Sequence, residues 1–385
     1  MTMTNVIIFR YLLCLYILIQ FNDSFFVSST KKISRFNCTT YLPPDPPKNN
    51  VSRLHPGHID VVMAIGDSIT AGFAVRGSLY EGRDISWSVG RGDSLQLTVP
   101  WMIERYRKNQ VNGSSLKAVL PKDVFHLPTG DYHPETDRLN VAESQGAVHR
   151  GSMVEQWRLL NETASKTEGF DDAWKLLTVW MTANDVCGAC SGPLSTDYLN
   201  SWIDGHDALL RNVSSNMRKI YVNLVSTLDL SNVHRIQRSK VGCTIEHKYI
   251  LQECGCIDRG NATELAQLDA NVHAMNSALH NLADRWYRRL RTEGRTDMAV
   301  VVQGFQESIG SNLDHTFLNS LDCFHPSTVG HELLAVGLWN SMLCLGQENR
   351  VDRCGEHFSK SLKPVCPTAD SVLYTGPDVR PGPPP

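Results

Sequence analysis

The sequence predicts an α/β fold in three layers, with a five-stranded parallel sheet between two layers of helices. Short apolar runs of strand length alternate along the chain with segments of helical periodicity, and this alternation is typical of parallel sheets covered by helices on both faces. Polar residues also follow several of the apolar runs directly, as happens where parallel strands end at one edge of an open sheet. We therefore expect one large α/β/α domain with its reactive groups at that edge.

Five apolar runs are the strand candidates. The first, residues 61–65, is apolar throughout and long enough for one buried strand. The other four are residues 85–89, 176–181, 220–225 and 298–302. The clearest helix covers residues 264–291, where apolar side chains such as Leu268 and Val272 recur every three or four positions and mark one buried face. A further helix is predicted to begin near Ser327.

The N-terminal segment predicts export. Residues 1–28 read as a signal peptide, because Arg10 precedes an apolar core that polar residues interrupt from Asn22 onwards. The alternative is an N-terminal membrane anchor, which the interruption disfavours. Residues 29–56 are rich in proline and predict an extended arm leading into the fold.

The remaining boundaries follow from composition. Residues 57–346 are predicted to form the main domain, and residues 347–385 a cysteine-containing extension with a proline-rich tail. Residues 110–150 and 227–262 lack periodic patterns, so we expect them to be long loops over the core.

Composition excludes some partner classes. The 385-residue chain is 42% hydrophobic and 20% charged, which is ordinary for a globular protein with a large core. Its formal net charge of −3 leaves no basic surplus for binding nucleic acid. We expect no nucleic-acid partner, no stable protein partner and at most transient contact with a membrane surface.

Cysteine usage agrees with export. Ten cysteines remain when Cys14 of the signal-like segment is set aside, and an even number in a secreted chain indicates disulfides. Cys187 and Cys190 are disulfide candidates that could bridge locally. A CxxC pair can also be half of a zinc site or a redox centre, but no second half with suitable spacing accompanies this one. Cys323 is expected to form a disulfide that holds its loop.

Six Asn-x-Ser/Thr sequons lie downstream of the signal-like segment. Together they favour a glycosylated, secreted protein, although each alone could arise by chance. The candidate acceptors are Asn37, Asn50, Asn112, Asn161, Asn212 and Asn261.

Three residues near the predicted strand ends have the chemistry of an acyl-transfer site. Ser68 follows the first strand, while Asp322 and His325 follow the fifth. Ser68 would attack an ester carbonyl, and His325 would take its proton and return it to the leaving alcohol. Asp322 would orient the imidazole, because a short turn can bring an Asp-x-x-His pair together. Asp67 is expected to be a hydrogen-bonding residue of the turn.

An acyl-transfer site also needs donors for the developing oxyanion. The candidates are the backbone N–H of Ser68, the N–H of Gly90 or Gly92 after the second strand, and the side-chain amide of Asn184 after the third. Glycine suits such a position because it lets the backbone approach the substrate closely. Asn184 could instead cap a helix or close an Asx turn, which is compatible with donation.

These motifs, in this order, resemble the four blocks of the GDSL, or SGNH, hydrolases. Within that superfamily the chain looks most like the phospholipase B-like group, and the resemblance covers roughly residues 53–345. The supporting segments are Gly66-Asp67-Ser68-Ile69-Thr70-Ala71-Gly72, Ser86-Trp87-Ser88-Val89-Gly90, Asn184-Asp185-x-Cys187 and Asp322-Cys323-Phe324-His325. The resemblance implies a flavodoxin-like SGNH fold and a secreted serine esterase that cleaves acyl chains from phospholipids or lysophospholipids. It implies no metal and no cofactor.

The chain departs from the group's pattern at the second block. The adjacent glycines of the group are replaced by Gly90-Arg91-Gly92, which leaves open which glycine serves the oxyanion. The charge of Arg91 near the site would favour an anionic head group.

Two alternative functions remain. One is an esterase for another substrate, such as an acetylated glycan or a neutral lipid. The other is a non-catalytic secreted protein that binds lipid or glycan, which the intact set of Ser68, Asn184, Asp322 and His325 disfavours.

Overall fold

A parallel β-sheet forms the centre of the structure. The computed structural model describes residues 36–121, 132–190, 192–237, 253–307, 313–344 and 361–376. Within these residues the sheet has four strands in sequential order, and every neighbouring pair is parallel. The strands are β1 (Val61–Gly66), β2 (Lys175–Trp180), β3 (Ile220–Val225) and β4 (Met298–Gln303). All four are buried along their whole length, as expected for a sheet covered on both faces.

Helices connect the strands. The α-helices of the described residues are α1 (Ser68–Ala71), α2 (Val99–Glu104), α3 (Pro134–Asp137), α4 (Ser152–Ala164), α5 (Ala183–Gly188), α6 (Thr196–Asn216), α7 (Ser231–Gln237), α8 (Gly255–Arg259), α9 (Ala262–Thr292) and α10 (Thr328–Cys344). Short 3₁₀ helices lie at Val51–Arg53, Pro56–His58, Arg83–Ile85, Val148–Arg150 and His315–Phe317.

The helices pack in two groups. In one group α4 contacts β1, α6 lies between α4 and α9, and α9 contacts β4. In the other, α10 contacts β4 and α2. The predicted helix over 264–291 is confirmed as α9, whose buried residues include Leu268, Val272 and Met275, and the predicted helix near Ser327 is α10. The α/β class and the parallel sheet are thus confirmed.

The second strand candidate is wrong. Residues 85–89 contain the end of a 3₁₀ helix followed by a turn, and they join no sheet. Their backbone bonds locally: the N–H of Ser86 donates to the carbonyl of Arg83, and the N–H of Gly90 donates to the carbonyl of Ser86. The edge of β1 that a fifth strand would occupy in a flavodoxin-like order instead carries isolated bridges from Asn112 and Asn140.

The other four strand predictions agree with β1 to β4 within one residue at each end. The described residues belong to one compact unit. The predicted signal segment, 1–28, and the tail from residue 377 lie outside the described residues. Among the described helices, none combines the length and the apolar composition needed to cross a membrane.

Candidate active site

Ser68 lies at a tight junction between β1 and α1. Asp67 caps the helix, because its Oδ1 accepts the N–H of Ile69 at 2.9 Å, and Gly72 ends it with φ of +83°. The preceding residue must be glycine, since a Cβ at Gly66 would lie 2.6–2.8 Å from atoms of Thr70 and Trp180. The sharp turn therefore places Ser68 at the carboxyl edge of the sheet, as predicted, and Asp67 has the structural role expected of it.

Gln156 of α4 holds the end of β1. Its side-chain amide accepts the N–H of Gly66 and donates to the carbonyl of the same residue, both at 2.9 Å. Gln156 is fully buried. A single glutamine on a helix gives no sequence signal, so this role could not be predicted.

The hydroxyl of Ser68 meets the imidazole of His325. Ser68 Oγ lies 2.6 Å from His325 Nε2, and His325 Nδ1 lies 2.8 Å from Asp322 Oδ2. All three side chains are buried, with Ser68 the most exposed at 7%. The structure therefore brings together the three residues that the sequence analysis combined, in the order that a serine–histidine–aspartate triad requires.

A self-bonded turn delivers the imidazole. Asp322 Oδ1 accepts the N–H groups of Phe324 and His325 at 2.8 and 2.9 Å, while Oδ2 contacts the ring. Cys323, which lies between Asp322 and Phe324, has φ of +53°, an unusual value for a residue other than glycine. Cys323 is disulfide-bonded, as expected, which anchors this strained position.

Asn319 completes the turn, and its role was not predicted from the sequence. Its Nδ2 donates to Asp322 Oδ1 and to the carbonyl of His325, both at 2.9 Å, and its Oδ1 accepts the N–H groups of Leu321 and Asp322. The side chain is 3% exposed. Asn319 thus fixes the carboxylate that in turn fixes the imidazole.

Charge and burial oppose each other at the imidazole. Burial acts to lower the pKa of His325, but the Asp322 carboxylate outweighs burial and raises that pKa to about 9. Burial likewise acts to raise the pKa of Asp322, but His325 and the N–H donors hold it below its usual range. The aromatic rings of Phe73 and Phe324 meet the imidazole edge-on, at 5.0 and 5.2 Å between centroids.

Two other buried titratable groups lie close by. Burial raises the pKa of Asp67 to about 7, since the N–H bond from Ile69 compensates only part of the desolvation. Burial lowers the pKa of His331 on α10 to about 3, so this ring is neutral, and its Nδ1 accepts the N–H of Trp87 at 3.3 Å.

The candidate oxyanion donors differ in how their hydrogens are used. The N–H of Gly90 donates to the carbonyl of Ser86, and the N–H of Gly92 donates to the carbonyl of Asp84, each at 2.8 Å. The N–H of Arg91 donates to the carbonyl of Ser115 at 3.1 Å. Each of these three groups would have to exchange a backbone bond before it could serve a substrate.

Asn184 lies at the neighbouring strand end. It is the second residue of α5, which follows β2, and Gly66 of β1 is paired with Trp180 of β2. Its Nδ2 donates to the carbonyl of Gly146 at 3.0 Å, and Gly146 packs so tightly that a Cβ there would meet the carbonyl of Gly66 at 2.9 Å. Asn184 is thereby tied to the β1 edge that presents Ser68.

The local bridge proposed for Cys187 and Cys190 is wrong. Cys187 is bonded to Cys254, and Cys190 is bonded to Cys256, so two disulfides join α5 and the residues just after it to the start of α8. Cys187 lies only three residues beyond Asn184, on the helix that carries it. The Cys-x-x-Cys spacing could not reveal this pairing, because Cys254 and Cys256 lie 66 or more residues further along the chain.

The six sequon asparagines have accessible side chains. Asn161 is half-buried, and the other five are exposed. Asn261 also caps α9, because its Oδ1 accepts backbone N–H groups of the first turn. Surface position is what glycosylation requires, and modification itself stays a prediction.

One set of side chains among the described residues has metal-ligand geometry. Glu253, Asp322 and His325 offer ligand atoms within 4.8 Å of one another. Two of these atoms, Nδ1 of His325 and Oδ2 of Asp322, are 2.8 Å apart, which is the distance of an ordinary hydrogen bond. The set is therefore better described as a hydrogen-bonded part of the candidate triad.

Comparison with known sequences gives two kinds of match. Residues 62–338 match the family described as GDSL-like Lipase/Acylhydrolase. The chain is also 29% identical over 352 residues to human "Phospholipase B1, membrane-associated", which covers 87% of this chain and 23% of that protein. The mouse protein of the same name is 27% identical over 325 residues, covering 80% of this chain and 20% of the relative. The chain thus spans about a fifth of the length of these relatives.

Solved structures give weaker matches. Phospholipase A1 from Streptomyces albidoflavus is 12% identical, with a TM-score of 0.34, and the match covers 74% of this chain and 99% of that one. A catalytic mutant of the acetylxylan esterase Axe2 from Geobacillus stearothermophilus is 13% identical, with a TM-score of 0.31, and the match covers 73% of this chain and 93% of that one. Both TM-scores are low, so function is not transferred from these two proteins.

Proposed function

Because this chain belongs to the GDSL-like lipase/acylhydrolase family of ester hydrolases and is phospholipase B-like in sequence, we propose that it cleaves acyl chains from phospholipids and lysophospholipids. The observation that carries the proposal is the 2.6 Å separation of Ser68 Oγ from His325 Nε2, with Asp322 on the far side of the ring. A buried serine in contact with a base that is itself held by a carboxylate is an arrangement that activates a nucleophile.

The reaction proceeds through an acyl-enzyme. His325 Nε2 takes the proton of Ser68 as Oγ attacks the ester carbonyl, and the protonated ring then gives that proton to the departing alcohol. Water enters, His325 takes one of its protons, and the resulting hydroxide attacks the acyl-serine. Collapse releases the fatty acid and returns the proton to Ser68.

The oxyanion receives donors from two strand ends. The N–H of Ser68 and the amide of Asn184 are the proposed donors, because Asn184 is tied through Gly146 to the same edge of the sheet. Gly90 or Gly92 joins them only after its N–H leaves the carbonyl to which it now donates. A single well-placed donor typically contributes about 2.7–4 kcal/mol to the transition state.

The substrate class rests on sequence similarity and on the chemistry of the second block. The relatives are phospholipases by name, and Arg91 supplies a half-buried cation beside Gly90 that would suit a phosphodiester head group. An esterase for acetylated glycans or neutral lipids would use the same triad, so substrate analysis distinguishes these possibilities.

We also propose that the protein is secreted. The three disulfides whose partners are both described, Cys38–Cys366, Cys187–Cys254 and Cys190–Cys256, fit an oxidising compartment. Six surface-accessible sequons and the signal-like N-terminus support the same location.

A fluorophosphonate probe tests the nucleophile. We expect the wild-type protein to be labelled and Ser68→Ala to lose both labelling and ester hydrolysis, by about 10⁶-fold in kcat. Ser201→Ala, at an exposed serine on α6, is the matched control and should be labelled like the wild type. Absence of labelling in folded wild-type protein would favour a lipid- or glycan-binding role instead.

Product analysis tests the substrate. Purified protein is incubated with a defined two-chain phospholipid, its lysophospholipid, a triacylglycerol and an acetylated xylo-oligosaccharide. We expect fatty acid from the first two, in a Ser68-dependent reaction. Release of acetate alone would leave the serine mechanism in place and overturn the assignment to phospholipids.

A further inference from the structure

A second carboxylate lies beside the imidazole of His325. Glu253 Oε1 is 3.8 Å from His325 Nδ1, the same nitrogen that contacts Asp322 at 2.8 Å. The Glu253 side chain is 22% exposed, whereas those of His325 and Asp322 are 7% and 1% exposed. An interaction between charges at this distance is only partly screened when one partner is buried.

Covalent bonds hold Glu253 in this position. It directly precedes Cys254, which is bonded to Cys187, and Cys256 is bonded to Cys190. The backbone N–H of Cys256 also lies 3.1 Å from the sulfur of Cys190. The segment that carries Glu253 is therefore cross-linked once to α5 and once to the residues just after it.

The same cross-links reach the helix that carries the proposed oxyanion donor. Asn184, the proposed oxyanion donor, lies on α5 three residues before Cys187. A segment that places a carboxylate near the base is thus fastened to the helix that carries Asn184. This arrangement is more specific than an exposed acidic residue that happens to approach a histidine.

We infer that Glu253 is a positioning residue for the reaction, and that its carboxylate stabilises the imidazolium form of His325 together with Asp322. The inference rests on the proposed function. When Ser68 transfers its proton to Nε2, the ring becomes positively charged, and two flanking carboxylates lower the free energy of that state. The proton path itself is unchanged, because Glu253 acts only through the charge of the ring.

Other charged groups also face His325, so the test must separate them. Asp322 approaches from the same turn, Asp67 from the β1–α1 junction, and both raise the pKa of the imidazole as Glu253 does. His331 of α10 is neutral because burial lowers its pKa to about 3. A comparison in which only Glu253 changes keeps all of these contributions constant.

The first experiment measures kcat/KM against pH for the wild type and for Glu253→Gln. The active enzyme needs neutral His325, so activity falls as pH drops through the pKa of that ring. Loss of the Glu253 charge should lower the pKa, and we expect the acidic limb to move to lower pH by about one unit. We also expect kcat at the plateau to fall by about tenfold.

Two further variants separate charge from packing. Glu253→Asp keeps the charge, so its acidic limb should stay close to that of the wild type. If the role of Glu253 were only structural, Glu253→Asp and Glu253→Gln should have the same pH profile. Glu264→Gln removes a carboxylate at the start of α9 that pairs with Arg259 of α8, and it should leave the pH profile of kcat/KM unchanged. A Glu253→Gln profile that superposes on the wild type would overturn the inference.

The second experiment does not depend on hydrolysis. The pKa of His325 is measured by NMR with ¹³C-labelled histidine in Ser68→Ala, with and without Glu253→Gln. A lower pKa in the double variant supports the inference even if no ester is found to be cleaved, whereas equal values reject it. Absence of Ser68-dependent hydrolysis in the wild type would instead reject the proposed function.

Discussion

Asp322 determines the protonation behaviour of the site at the level of single residues. Burial alone would leave His325 with a lowered pKa, and the carboxylate at 2.8 Å reverses that shift. Because hydrolysis requires the neutral ring, the wild-type kcat/KM should fall as pH decreases, with a midpoint above the ordinary histidine value of 6.5. A midpoint below that value would contradict the contact between the two side chains.

Asp322→Asn should act on both rate and pH profile. The amide cannot hold the correct tautomer of the imidazole, so we expect kcat to fall by about 10⁴-fold. Without the Asp322 carboxylate the effect of burial is less opposed, so the pKa of His325 should fall. The acidic limb of the remaining activity should then move to lower pH. Asp314→Asn is the matched control, because Asp314 caps the nearby 3₁₀ helix His315–Phe317. Pre-steady-state kinetics over a range of pH would measure both effects.

Residue identity could be predicted only where several residues act together. Ser68, Asp322 and His325 were recognisable because a nucleophile, an acid and a base stood in order after predicted strands. Asn319 and Glu253 carried no such pattern, since one depends on a turn that bonds to itself and the other on disulfide pairing. Both become visible only when the atoms that surround His325 are known.

At the level of elements, the end of β1 depends on a helix as well as on the neighbouring strand. The amide of Gln156 on α4 supplies both a donor and an acceptor to Gly66, two residues before Ser68. Gln156→Leu should leave the buried N–H of Gly66 unsatisfied, while its carbonyl retains the N–H of Glu143 at 3.3 Å. We expect a loss of about 1–3 kcal/mol in the free energy of unfolding, measured by urea denaturation.

The same variant should also affect activity, because the junction that follows Gly66 orients Ser68. We expect kcat to fall while KM changes little. Arg158→Leu on the exposed face of α4 is the matched control, since its pairs with Glu155 and Glu162 are solvent-exposed and contribute little. Equal unfolding curves for Gln156→Leu and the control would show that Gly66 finds another partner.

Element prediction succeeded where apolar runs were largely continuous and failed where serines alternated with the apolar residues. The runs that became β1, β2, β3 and β4 are buried on both faces, so their composition alone identified them. Residues 85–89 are also buried, but their apolar residues alternate with serines, and the hydroxyl of Ser86 donates to the backbone carbonyl of Thr70 at 2.6 Å. A side-chain bond to the backbone of this kind competes with strand pairing, and the alternation of apolar residues with serines does not reveal it.

For the whole molecule, the ends of the described chain are joined by one disulfide. Cys38 in the N-terminal arm is bonded to Cys366, 328 residues later. The segment around Cys366 also packs on α10, where Trp339 Nε1 donates to the carbonyl of Val365 and Asn340 bonds to Lys363 and Val365. The even number of cysteines could be read from the sequence, but this pairing could not. Cys38 and Cys366 meet only because both segments pack at the same place in the folded chain.

This disulfide should contribute to stability and not to catalysis. Replacing both cysteines, Cys38→Ser with Cys366→Ser, frees a very long loop in the unfolded chain, and we expect the free energy of unfolding to fall by about 2–5 kcal/mol. Neither cysteine belongs to the hydrogen-bonded chain from Ser68 through His325 to Asp322, so kcat at 25 °C should stay near the wild-type value. The matched comparison is Cys187→Ser with Cys254→Ser, which removes a disulfide next to Asn184 and Glu253 and should lower kcat as well as stability. Equal loss of kcat in the two double variants would show that the closure of the chain ends also shapes the site.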